Sequence, residues 1–157
     1  MNTYVALKFV HVLSSTVLFG AGLGTAFHLW MTHRAGDVRA IASAARLAVL
    51  ADAWFTTPAV IVQPLSGLAL IHFAGFAWTQ SWLVAALLLY LVAGACWLPV
   101  VWLQLRMRNL AASAAANGAP LPSAYFRAMR VWFVLGWPAF LAVIAIFWLM
   151  IAKPALW

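Results

Sequence analysis

Residues 4–31 read YVALKFVHVLSSTVLFGAGLGTAFHLWM. The run is apolar and long enough to cross a bilayer as a helix, because a hydrocarbon core of ~30 Å needs about 20 residues. It nevertheless carries Lys8 and His11. Three positions apart on a helix, these two side chains share a face. Ionisable groups inside a spanning segment are costly and mark candidate functional sites. At 100° per residue, Tyr4, Lys8, Ser15, Gly22 and Thr25 fall within about 60° of His11. That stripe of polar and small residues is expected to face protein, with the apolar remainder facing lipid. Gly20 and Gly24 form a small-xxx-small pair, which predicts close approach of a second helix.

The rest of the chain repeats the pattern. Of 157 residues, 68% are hydrophobic and 7% are charged, which excludes an ordinary soluble domain. Spanning helices are predicted over residues 3–31, 37–74, 82–107 and 125–152, in a single membrane domain. The expected fold is all-α, a transmembrane four-helix bundle. Asp37 is placed as the N-cap of the second helix. Pro58, Pro64, Pro99 and Pro138 lie inside the runs and predict kinks. Residues 109–123, rich in Ala, Gly and Pro, read as the longest loop. The first run lacks a basic leader and a small-residue cleavage site, so it reads as a retained helix. The single cysteine, Cys96, reads as a small buried hydrophobe.

Nine basic residues stand against two acids. The charges are few and lie between apolar runs, which excludes a nucleic-acid surface and marks them as topology signals. Arg34, Arg39, Arg46, Arg106, Arg108, Arg127 and Arg130 flank the first and third connections. Only Lys8 and Lys153 lie at the opposite ends. The positive-inside rule then places both basic connections in the cytoplasm. Both termini are expected outside, as in a multi-pass protein of the bacterial inner (cytoplasmic) membrane with periplasmic ends. Trp78, Trp82, Trp132 and Trp157 suit interfacial belts. The bilayer is the expected partner, with self-association left open.

Several residues carry candidate chemistry. His11 sits about seven residues into its helix, ~10 Å below the outer surface. A buried helical imidazole in a bundle is suited to haem iron. The simpler use is a hydrogen bond to a neighbouring helix, with Lys8 and Lys153 snorkelling outward. If a flat ligand is bound, it is expected in the outer half of the bundle. Lys8 and Lys153 would then meet its acidic groups, Ser15 and Gln63 would form its floor, and Tyr90 would close it. His72 is a weaker second ligand. It lies about 180° from Gln63, on the opposite side from the stripe of Asp52, Thr56, Gln63 and Gly67. Asp52 could pair with Arg46, Arg106 or Arg108, or relay protons. Tyr90, Gly94, Trp97, Gln104 and Arg108 share one face of the third helix. Arg130, Trp137, Leu141 and Trp148 share one of the fourth. Such stripes suit core packing, and also a porphyrin or a quinone. His28 and His33 lie near the basic interface without enough companions for a metal site.

The runs ALKFVHVLSSTVLFGAGLGTAF, ADAWFTTPAVIVQPLSGLALIH, WLPVVWLQLRMRNL and WFVLGWPAFLAVIAIFWLMIAKP resemble a bacterial family of four-helix integral membrane proteins with no assigned function. More distantly, Lys8 and His11 followed by Gly22-Leu23, then Thr57-Pro58-Ala59 with Gly67-Leu68, then a terminal Lys153-Pro154, resemble the HemJ-type membrane protoporphyrinogen oxidases. That likeness implies haem b held by the first-helix histidine and electron transfer from a porphyrinogen or similar donor. In HemJ the connection after the third helix is rich in histidine and charge; here it is AASAAANGAPLP. The departure bears on the oxidase activity more than on haem binding. The rival expectation is a non-enzymatic membrane protein, an assembly factor or transport-associated subunit, in which Lys8 and His11 only pack and hydrogen-bond.

Overall fold

The computed structural model describes residues 2–157. The chain forms four membrane-length helices: α1 Thr3–Ala35, α2 Val38–Ala74, α3 Ser81–Ala116 and α4 Ser123–Ala152. At 1.5 Å per residue, the 33 residues of α1 run for about 50 Å, well beyond a ~30 Å core. The all-α four-helix membrane bundle is therefore the observed architecture. The helices outrun the predicted 3–31 and 82–107. The largest difference is in α3, which continues through Ala116. Residues 110–116 (LAASAAA) are alanine-rich, and alanine is the best helix former. The helix stops only at Asn117 and Gly118, and the connection shrinks to residues 117–122.

The first turn is set by two residues. Gly36 takes φ 81°, a left-handed conformation that costs glycine nothing, and its N–H closes on the His33 carbonyl. Asp37 then caps α2, its carboxylate accepting from the N–H groups of Arg39 at 2.8 Å and Ala40 at 3.0 Å. Helix α2 is interrupted by a π turn over Asp52–Thr56, where the Thr57 N–H reaches back to the Asp52 carbonyl. Pro58 follows directly. Its ring would press on the carbonyl four residues earlier in a regular helix, and the widened turn supplies room. Pro64, the second proline, cannot donate to the Val60 carbonyl. The Tyr90 hydroxyl of α3 donates to it instead, at 2.5 Å.

Helix α1 packs on α2, the basic-end half of α2 packs on α3, and α3 pairs with α4 along the bundle. Aromatic side chains join α4 to α1: Phe19 stacks on Phe140 at 5.2 Å and Trp30 on Phe133 at 4.3 Å, between ring centroids. The most completely buried side chains gather at the basic end. Leu29, Ile41, Met107, Ala111 and Tyr125 are at most 1% exposed. Hydrophobic burial has a driving force only where water is the alternative, which favours a tight apolar core at the ends of long spanning helices. A smaller cluster of Ile71, Trp82, Leu83, Ala86 and Leu149 closes the other end.

Four expectations change here. Gly20 and Gly24 mediate no close helix contact, since a Cβ at either would meet nothing within 4 Å. Trp137, Leu141 and Trp148 are more than half exposed, so that stripe lies on the surface of the bundle and not in its core. Trp82 and Trp132 are buried rather than interfacial, whereas Trp78 and Trp157 are exposed as a belt requires. Ionic pairing of Asp52 is the fourth. Its carboxylate accepts from Thr56 Oγ1 at 2.9 Å, within its own helix. Arg106 lies over the Trp102 ring, Arg108 donates to Asn109, and Arg46 is exposed.

Candidate functional site

The half of the α1–α2 seam remote from the arginine-flanked connections holds a connected polar network. His11 Nδ1 lies 2.9 Å from Ser66 Oγ. The Ser66 hydroxyl has one hydrogen, and it is directed to the Val62 carbonyl at 2.6 Å. With its hydrogen on a backbone carbonyl, Ser66 Oγ is an acceptor for the imidazole, an arrangement that matches the tautomer with the proton on Nδ1 and the lone pair on Nε2. Gln63 locks the same turn of α1. Its Nε2 donates to the His11 carbonyl at 2.8 Å and to Ser14 Oγ at 2.9 Å. Ser14 passes its own hydrogen back to the His11 carbonyl at 3.1 Å. Every member of the network is buried or half-buried. In a bilayer no water competes for these groups, so they hold the two helices in one register.

Gly67 makes the arrangement sterically feasible. A Cβ there would lie 3.3 Å from His11 Cε1 and 3.8 Å from Nδ1. The close approach expected of Gly20 and Gly24 in α1 is thus made by a glycine of α2, against the edge of the imidazole.

The structure brings His11 and Gln63 together as anticipated, but Gln63 is engaged with α1 and is not a bare pocket floor. Ser15 bonds only its own Val12 carbonyl, and Ser14 is the serine in the network. Tyr90 spends its hydroxyl on Val60. Lys8 is exposed on α1. Lys153 sits over Phe76 at 4.4 Å and Trp82 at 5.5 Å from the ring centroids, a cation–π cage at the end opposite the arginines. His72 is exposed, its ring against the adjacent Phe73, and it does not join the network. His33 stacks near Tyr125 and Phe126 at the basic end. His28 lines a separate open groove of about 610 Å³ between α1 and the basic half of α2. Among the described residues, no three of His, Cys, Asp and Glu cluster as a metal site would.

Two network residues were not among the expected site residues, Ser14 and Ser66. A signal existed for both. Ser14 lies 60° from His11 on the helical wheel, as close as Lys8, and Ser66 lies 60° from Gln63. The wheel alone does not rank Ser14 against Ser15, which flank the His11 direction on either side, and a single hydroxyl such as Ser66 in an apolar run names no partner.

Asp52 forms a second buried polar spot deeper in the bundle. It is 6% exposed, and the Gln104 side chain of α3 lies beside its carboxyl. Asp52 Oδ2 and Gln104 Oε1 are both buried without a hydrogen-bond partner.

No curated protein and no solved structure matches this chain. A family model does, over residues 5–154, nearly the whole of it. With its four apolar helices and a match of that extent, the chain belongs to the DUF2269 family, described as predicted integral membrane proteins.

Proposed function

We propose that this integral membrane protein binds haem b in the outer half of its bundle, with His11 as the residue that would hold the iron through Nε2. The observation that carries the proposal is the tie of the imidazole to α2, with His11 Nδ1 2.9 Å from Ser66 Oγ. A ligating histidine needs its second nitrogen tied to an acceptor, which fixes the tautomer and the ring plane. Ser66 does this for Nδ1, and Gln63 anchors the backbone of the same residue. Gly67 keeps the ring edge free of a side chain. The Lys-x-x-His start and the Thr-Pro-Ala…Gly-Leu helix, which distantly resemble those of HemJ-type proteins, support the same reading. Such a haem would supply one-electron transfer, and a porphyrinogen or a quinone is the matching partner class. Within this reading Lys8 is the cation left for a propionate, since Lys153 already has aromatic partners. His72 is dispensable.

The test is the absorption spectrum of protein purified from haem-replete cells. A Soret band is expected, lost in His11→Ala and kept in His72→Ala. A colourless wild-type preparation overturns the proposal.

A second reading rests on the closure of the network. Ser14, Gln63 and Ser66 already satisfy one another, so they also suit a purely structural clasp in a non-enzymatic subunit. The same spectrum separates the two. The orientation proposed for both is cytoplasmic for the arginine-flanked connections, in a bacterial inner membrane. Reporter fusions at the C-terminus and after Gly118 read it directly, and a cytoplasmic C-terminus refutes it.

A further inference from the structure

We propose that the groove between α1 and the basic half of α2 holds one anionic phospholipid, its acyl chain in the groove and its phosphate on Arg39 and Arg46. The groove has a volume of about 610 Å³, with Gly24, Thr25 and His28 on one side and Ala44, Ala48 and Ala51 on the other. Its deeper part is walled by Leu50, Trp54 and Phe55. Small residues on both helices keep the seam open, and a Cβ on Gly24 would touch nothing within 4 Å. An open apolar groove at this depth is filled from the bilayer.

The charges decide which lipid fills it. Arg39 and Arg46 lie 20° and 40° from Leu50 on the helical wheel, so one flank of α2 carries both arginines and a groove residue. Both are exposed. The nearest acid in sequence, Asp37, has its carboxylate committed to the α2 N-terminus. Arg34 is turned the other way, over Trp30. Along α2 the order is therefore cationic at Arg39 and Arg46, then apolar at Leu50, Trp54 and Phe55. His28, exposed on α1, adds a polar contact at the groove. A phospholipid in the basic-side leaflet has the same order, phosphate first and acyl chain deeper. Basic pockets between spanning helices are suited to anionic head groups. A zwitterionic head group offers no net charge to two arginines, and a neutral quinone offers none at all.

The experiment uses the full chain in nanodiscs of phosphatidylcholine, with and without one-fifth phosphatidylglycerol, followed by extraction and native mass spectrometry. One phosphatidylglycerol is expected to stay bound, with phosphatidylcholine lost. At about fivefold in affinity for each arginine near the surface, Arg39→Gln with Arg46→Gln should weaken retention about 25-fold. Gly24→Leu fills the groove where there is space for a side chain, and should abolish retention with the helix content unchanged. Three results overturn the proposal: equal retention of both lipids, retention indifferent to the arginine pair, or retention indifferent to Gly24→Leu. Displacement of phosphatidylglycerol by a neutral isoprenoid quinone with equal affinity in the arginine variant also overturns it. None of these readouts depends on haem.

Discussion

Replacing Gly67 by alanine tests whether the imidazole of His11 is seated by this glycine. The added Cβ would stand 3.3 Å from His11 Cε1. Carbon atoms are at their best separation near 3.5–4.0 Å, so the ring must retreat by a few tenths of an ångström. It cannot do so freely, because Nδ1 is held 2.9 Å from Ser66 Oγ. Overpacking by one methyl group costs roughly 1–3 kcal/mol, and the small overlap puts this case near 1 kcal/mol. Alanine in a helix interior is favoured over glycine by about 0.8–1.0 kcal/mol in water, which offsets much of that. The single variant should therefore be near neutral. In a His11→Ala background the ring is gone and only the helix preference remains, so the same change should stabilise by just under 1 kcal/mol. The expected coupling is about 1 kcal/mol, read as a double-mutant cycle from reversible unfolding in mixed micelles followed by circular dichroism. Equal effects of Gly67→Ala in both backgrounds, within about 0.3–0.5 kcal/mol, refute the steric argument.

Three more outcomes follow from the buried polar groups. Gln63→Leu removes two bonds between α1 and α2 and should destabilise by about 1–1.5 kcal/mol, at about 0.6 kcal/mol for each in a membrane; unchanged unfolding would mean that the network does not join the helices. Tyr90→Phe leaves the Val60 carbonyl without a donor and should cost about 1–2 kcal/mol. Because Pro64→Ala restores the helical donor, the tyrosine penalty should shrink in that background, and a constant penalty contradicts the assignment. Asp52→Asn keeps an acceptor for Thr56 while removing a buried carboxylate whose Oδ2 has no donor. It should leave the melting temperature unchanged or raise it, whereas a marked fall in thermal scanning would show that the acid itself is required.

Much of the architecture was legible in the chain because the bilayer reduces the choices. Residues 4–31 cannot expose backbone polar groups to hydrocarbon, so an apolar run of that length has to be a helix. Four such runs make four helices, and Asp37 declares its cap locally. The polar stripe of α1 that carries His11 is legible from one helix alone, yet Gly20 and Gly24 on the same helix make no close contact. The alanine-rich extension of α3 is ambiguous because its composition also suits a loop, and only the break at residues 117–118 distinguishes the two.

What the sequence could not decide was which faces meet. In lipid an apolar side chain gains nothing by leaving the surface, so the stripe of Trp137, Leu141 and Trp148 carries no sign of whether it packs or faces out. The partner of His11 depends on the rotation of α2, which is altered by the π turn at Asp52–Thr56. That rotation brings Ser66 and Gly67 to the imidazole and turns Asp52 to Gln104 instead of to an arginine. The number of spans and the Asp37 cap are local properties of the chain, and the sequence alone determined them. The site is a matter of register between helices, set by a few polar contacts far apart in the chain, and only the tertiary structure decided it.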